Sequence, residues 1–427
     1  MDADNAERWR AVEAGGLPLT WDLWSSDVRQ STVLTSAGRT AVVDAVEVIA
    51  SFLGEDWLSR FLPLDRNKPG ARGLPLLSFR WWPANDVPTT FDRLLTFAAR
   101  LRLLAGSPGL VPVRKAVRGS LGNFEHSLLQ LEVAALALRD GWRATFEPKP
   151  DPTGTRVTDL RLTRSGDSML VEVKGFQLDD VVRADLRLAG IVSQAYLALQ
   201  LEHDVYVSGD ISSPTSRDEL DGWLTTLGPL AAMVAQDQQP RQSQPPFGGL
   251  VEIRAGLPAN GTQHSMPIRR RDEWARITAQ IDAKAEQGRG AEPLWLRFEE
   301  TGQFWSLAAP PDERLEWAES WAAALERRLS IHEHVAGLLL SGPDQAISRS
   351  RLQQAFQLER SSAAVLSCTT SSPFWRESLI VAGPHSSAIE QAEAWQRWYL
   401  NEDSWLAWAH GALGLAPPTK LFAASAH

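Results

Sequence analysis

Residues 157–176, VTDLRLTRSGDSMLVEVKGF, constrain the fold of this chain more than any other stretch. Two alternating runs flank RSGD, which offers Gly166 to a tight turn, so the segment reads as a β-hairpin. With Ser165 and Gly166 at the centre, facing positions add up to 331. That register gathers Leu160, Leu162, Met169, Val171 and Val173 on one face, and a slip of one residue would scatter them. It also sets Asp159 opposite Glu172, with β-carbons roughly 5 Å apart. Side chains alternate along a strand, so Lys174 points the same way as Glu172. The hairpin therefore has one apolar face and one that presents two carboxylates and an ammonium group. Carboxylates this close repel each other unless a cation lies between them. A divalent metal suits hard oxygen donors, and Mg²⁺ is commonly held by one or two carboxylates plus substrate phosphate. Two acids, a metal and a lysine suit activation of water and neutralisation of the charge that develops on a phosphodiester.

The flanking sequence supplies an ordered set of elements. NFEHSLLQLEVAALALRDG is an amphipathic helix closed by Gly141, and WRATFEP is a strand that precedes the hairpin. After the hairpin, LDDVVRADLRLAGIVSQAYLALQLE reads as a long helix and HDVYVSG as a strand. The short connections make the first three strands a meander, and the helix before the fourth suggests parallel addition to the sheet.

At these residues the sequence resembles the PD-(D/E)XK nuclease superfamily, the restriction-endonuclease-like fold. TDLRL at Thr158–Leu162 resembles the family's "PD" strand, with Thr158 in place of proline, and EVK at Glu172–Lys174 resembles its "(D/E)XK". The resemblance covers about residues 123–208. It implies an α/β fold with an αβββαβ core and Mg²⁺- or Mn²⁺-dependent hydrolysis of phosphodiester bonds, usually in DNA, with RNA left open. It also implies that Asp159, Glu172 and the backbone carbonyl of Val173 hold the metal. Lys174 then positions or deprotonates the attacking water. Glu125 or Glu132 of the preceding helix stands where the family often has a third acid, with Glu132, nearer the Gly141 turn, slightly favoured. Gln194 and Tyr196 resemble the Gln/Tyr motif of some members. Restriction, phage defence or repair would be natural settings.

Around this core the expected organisation is a helical, basic region over 1–120 and the nuclease-like core over 121–234. A Gln/Pro-rich linker or loop follows over 235–249, then a second α/β section over 250–427 that ends in Trp-rich helices. Between Arg66 and Arg118 there are ten basic residues and two acidic ones, a local charge of +8 in a chain whose total is −9. That asymmetry makes Arg66, Lys68, Arg72, Arg114, Lys115 and Arg118 candidates for nucleic-acid contacts. The same segment holds FRWWP, whose tryptophans could stack on bases. The bland alternative for all of these is a set of solvated helix faces.

A single cysteine, Cys368, excludes a disulfide framework and a cysteine-based zinc site within one chain. The polar, acidic N-terminus is unlike a signal peptide, and no apolar run reaches membrane-spanning length, so a cytoplasmic location without membrane association is expected. His332 and His334 alternate along a strand and offer a zinc pair without an evident third ligand. Trp395, Trp398 and Trp405 recur at helical spacing, which suits a core or a dimer interface. The C-terminal section is the candidate surface for a second copy or a protein partner. No P-loop, dinucleotide fingerprint, nucleophile elbow or HExxH occurs. The leading expectation is a metal-dependent DNA endonuclease, and the alternative is an inactive nuclease-like scaffold that binds nucleic acid or protein.

Overall fold

The structure is a computed structural model. It describes residues 20–58, 88–149, 157–176, 202–256, 273–299, 311–342, 354–358, 364–400 and 405–423, less a few positions inside these spans, and a few residues elsewhere. The chain divides into two compact units: Met1–Phe176 with Trp274–His427 as unit 1, and Gln177–Glu273 as unit 2. These boundaries differ from those expected at 120, 234 and 250.

Among the described residues of unit 1 the N-terminal part includes the helices α1 (Trp21–Arg29), α2 (Ser36–Leu53), α3 (Pro88–Leu104) and α4 (Leu110–Val117). Thr20 and Thr35 cap α1 and α2 by accepting from Leu23 N and Gly38 N. Val42, Val46, Ile49 and Leu53 bury the stripe that 3.6-residue periodicity predicts for α2. α5 (Leu121–Arg139) leads into β1 (Arg143–Phe146), β2 (Leu160–Arg164) and β3 (Asp167–Gly175).

The β2–β3 register is the one read from the sequence: Leu160 faces Val171, Leu162 faces Met169, and Arg164 faces Asp167. Ser165 and Gly166 have φ of 47° and 98°, and two successive positive φ angles make the primed turn that such a hairpin favours. Met169, Val171 and Val173 join a core shared with α5 and the N-terminal helices. Leu170 points the other way into a second core with Ile277, Ile281, Leu296 and Leu325. The hairpin therefore has packing on both faces, including the one expected to present the two carboxylates and Lys174.

Chain order now departs from the expectation. The strand at HDVYVSG, β4 (Val205–Ile211), does not add to β3. It belongs to unit 2, with α6 (Arg217–Asp237), β5 (Arg241–Ser243), β6 (Gly249–Ala255) and β7 (His264–Ser265), in a sheet of order β5-β6-β4-β7. The Gln/Pro-rich segment at 235–249 lies inside this unit: it ends α6, contributes β5 and begins β6, which pair antiparallel. Tyr196 is buried in the core of unit 2 with Val192, Val205 and Trp223.

The strand that joins β3 in parallel is β8 (Leu294–Glu299), reached through α7 (Glu273–Gln287). A further crossover, α8 (Pro311–Leu329), adds β9 (Val335–Ser341), also parallel. β10 (Gln345–Ala346), β11 (Gln354–Gln357), β12 (Ala364–Ser371) and β13 (Phe374–Ala382) complete the sheet. Its order is β1-β2-β3-β8-β9-β13-β12-β11, with β10 on β13. The fold is mixed α/β with one mixed sheet in unit 1.

Helices α9 (Ala388–Leu400) and α10 (Trp405–Ala412) close the unit. Trp395 and Trp398 are core residues, and Trp295 stacks on Trp395 at 5.2 Å. Gly337 in β9 makes room for that tryptophan, because a β-carbon there would lie 2.5 Å from the Trp295 ring. Among the described residues, no helix is long and apolar enough to cross a membrane.

Candidate functional site

The charged residues of the hairpin meet at the end of β2, where β3 continues past its partner. Ladder pairing stops at Leu160 and Val171, and Asp159 sits one residue beyond it. Asp159 Oδ2 accepts from Val173 N at 2.8 Å. Along β3 the even-numbered N–H groups face β8, as Leu170 N to Pro293 O and Phe176 N to Glu299 O show. By alternation the Val173 N–H and carbonyl both face the other way, toward Asp159.

Glu172 is fully buried (0 % exposed) and Asp159 nearly so (7 %). Two helices supply their partners. From α5, His126 Nε2 lies 2.9 Å from Asp159 Oδ1, and Gln130 Nε2 donates to the same oxygen at 3.0 Å. From α7, Lys284 Nζ donates to Glu172 Oε2 at 2.6 Å and lies 3.5 Å from Asp159 Oδ2. Lys284 Nζ also donates to Gln287 Oε1, and Gln287 Nε2 in turn donates to Val157 O. Among the described residues, no donor reaches Glu172 Oε1.

The two carboxyls titrate apart. Burial, then the charge of Asp159, push Glu172 up to about 9 against the opposing pull of Lys284. Burial also pushes Asp159 up, but His126, Lys284 and the Val173 N–H outweigh it and hold this carboxyl below the usual aspartate range. Lys284 is likewise raised, because Asp159 and Glu172 outweigh its burial. Lys174 is half-buried, and its ammonium is pulled below the usual lysine range by burial, then by the charges of Lys284 and Arg276. Glu147 is raised by burial and by Asp159.

Of the residues singled out in the sequence, Asp159, Glu172, Val173 and Lys174 come together. Glu132 does not join them. It lies in a separate buried cluster, where Tyr399 Oη donates to it at 3.1 Å and Arg297 Nη2 at 3.3 Å, with Arg100 Nη2 at 3.5 Å. Arg297 is fully buried on β8, so Glu132 neutralises a core arginine. Glu125 lies in the first turns of α5, with its side chain outside the described residues, as are Gln194, Arg66, Lys68, Arg72, Arg80, Trp81 and Trp82.

Arg114 and Arg118 are engaged within unit 1. Both donate to Phe52 O, at 3.2 and 3.0 Å, and both reach Ser51 O, so they satisfy the open carbonyls at the C-terminus of α2. Lys115 is exposed. His332 pairs with Asp282 and His334 with the Ala285 carbonyl, so the two histidines face separate structural partners.

His126, Gln130, Lys284 and Gln287 were not singled out in the sequence. Lys284 had a signal: it falls on the apolar stripe of α7 with Ile277, Ile281 and Ala285, where a charged residue is out of place. His126 and Gln130 are one turn apart on α5 and share a face with Asn123 and Ser127.

Among the described residues, no group of three or more His, Cys, Asp or Glu side chains is gathered as a metal cage. What the site offers is two carboxyls, one of them with a buried oxygen that lacks a partner among the described residues, and a backbone carbonyl on the Asp159 edge of β3. Comparison with family models, curated proteins and solved structures finds no match to this chain.

Proposed function

We propose that the chain is a Mg²⁺- or Mn²⁺-dependent nuclease that hydrolyses phosphodiester bonds in DNA. Its catalytic core is a restriction-endonuclease-like αβββαβ unit made of α5, β1, β2, β3, α7 and β8, with unit 2 inserted before α7. One observation carries the reading: Asp159 and Glu172 both lie within reach of the Lys284 ammonium, at 3.5 and 2.6 Å, and among the described residues the buried Glu172 Oε1 has no hydrogen-bond partner. A buried carboxyl oxygen without a partner is costly, and a hard cation that displaces the Glu172 proton is a ligand that its chemistry fits.

Asp159, Glu172 and the Val173 carbonyl are the groups that would hold the cation. When bound it supplies Lewis-acid neutralisation of the phosphate and a water of lowered pKa. His126 and Gln130 fix the Asp159 carboxylate from α5, and the Val173 N–H holds its second oxygen. Lys174, with its ammonium depressed by burial and by two neighbouring cations, gives up a proton more readily than an exposed lysine. It is thereby suited to receive the proton of the attacking water or to orient that water.

The Lys284 ammonium favours a second reading, because it already neutralises the acid pair. In that reading the site is a structural ion cluster in a nuclease-like scaffold that binds nucleic acid or a protein partner. Plasmid cleavage in Mg²⁺ or Mn²⁺ separates the two. Wild type should nick DNA, and Asp159→Ala or Lys174→Ala should lose about a hundredfold or more of that activity. Equal activity in all three proteins would exclude this site. No activity on any substrate, with DNA binding indifferent to EDTA, would leave the scaffold.

A further inference from the structure

Lys284 comes from the crossover helix rather than from the hairpin, and it occupies the most valuable position in the site. Its Nζ is 2.6 Å from Glu172 Oε2, 3.5 Å from Asp159 Oδ2 and 3.2 Å from Gln287 Oε1. The side chain is mostly buried, and Gln287 is itself anchored on Val157 O, next to Asp159. The ammonium thus lies between the two carboxylates, and a neighbour on the same helix holds it there.

We propose that Lys284 is a built-in occupant of the cation site, an intramolecular ammonium that competes with the divalent ion for Asp159 and Glu172 and so sets the metal concentration at which the site loads. The inference rests on the metal reading above and deepens it. An ammonium and a divalent cation cannot both sit between one pair of carboxylates, because like charges at that separation repel strongly in a buried site. Loading therefore requires Nζ to leave Glu172. Its four-carbon stem allows that movement without displacing α7. Once released, Lys284 joins Lys174 and Arg276 as positive charge beside the site. Gln287 makes the resting position firmer, since it orients the ammonium and ties it to the segment that carries Asp159.

The test is calorimetric titration of Mn²⁺ alone into full-length wild type, Lys284→Met and Gln287→Ala, with Glu172→Gln to identify the site. Thermal melts with and without Mn²⁺ accompany it. Lys284→Met should bind Mn²⁺ at least about tenfold more tightly than wild type, the worth of one charge-assisted hydrogen bond that no longer has to be broken. It should also melt lower without metal and gain more from it. Gln287→Ala should fall between the two.

Equal or weaker Mn²⁺ binding by Lys284→Met and Gln287→Ala would overturn the proposal and leave the metal site intact. Absence of Glu172-dependent binding in every protein would sink the metal reading itself, and this inference with it. Should Lys284→Met fail to fold, Gln287→Ala decides alone: tighter binding supports competition, and unchanged binding ends it.

Discussion

Glu172→Gln in metal-free buffer isolates the contest inside the site. Burial and Asp159 drive the Glu172 proton on, and an ammonium 2.6 Å away drives it off. If the first pair wins, the folded state holds a proton that the unfolded chain has released. With an ordinary value of 4.5 and a folded value of about 9, this holds between those two pH values. The sign then follows from linkage. The folded state binds more protons than the unfolded one in that window, so stability falls as pH rises, by about 1.4 kcal/mol per unit for one group. At pH 7 the penalty is about 3 kcal/mol, and below pH 4 it vanishes. Glutamine is neutral at every pH and can still accept from Lys284 through its amide oxygen. Its stability relative to wild type should therefore rise steadily with pH, by about 4 kcal/mol between pH 5 and pH 8. Urea unfolding of both proteins in EDTA at four pH values measures this, and taking the difference removes the other titrating groups. A flat difference, or one that falls with pH, would mean that Glu172 is ionised and paired with Lys284, and the protonated-acid account would be wrong.

Two further outcomes test the placement of residues outside the site. Glu132→Ala leaves the buried Arg297 guanidinium with Glu299, at 3.6 Å, as its carboxylate partner and should lose about 3 kcal/mol in urea unfolding, with Mn²⁺ affinity unchanged; a loss of metal binding at unchanged stability would return Glu132 to the site. Arg114→Ala with Arg118→Ala removes the donors at the end of α2 and should lower the melting temperature by several degrees. If the pair instead weakens DNA binding and flattens its salt dependence at unchanged melting temperature, the two arginines are phosphate contacts.

The hairpin was legible because its signals are local. Gly166 fixes the turn, the turn fixes the register, and the register sorts Leu160, Leu162, Val171 and Val173 onto one face. The strand that completes the sheet was not legible, because HDVYVSG and PLWLRFEE are equivalent as apolar runs. What separates them is a pairing over more than a hundred residues, and a crossover leaves no local mark of which later strand it serves. The second core was hidden for the same reason: nothing near Glu172 in the sequence shows that α7 and α8 cover that face. Arg114 and Arg118 misled for a related reason. A basic cluster looks the same in sequence whether it faces phosphate or the carbonyls of a neighbouring helix.

The strand pattern around Glu172 argues that the acid is retained against the interest of stability. Val171 and Val173 flank it, Leu296 lies opposite it on β8, and an apolar residue at 172 would pack in the same environment without the penalty of desolvation. Replacing buried ions with apolar groups is often neutral or stabilising. A fold that buries a carboxyl at 172 and sets Lys284 against it, from a helix that follows a separate 97-residue unit, holds a polar pair in place, and stability alone gives no reason for it.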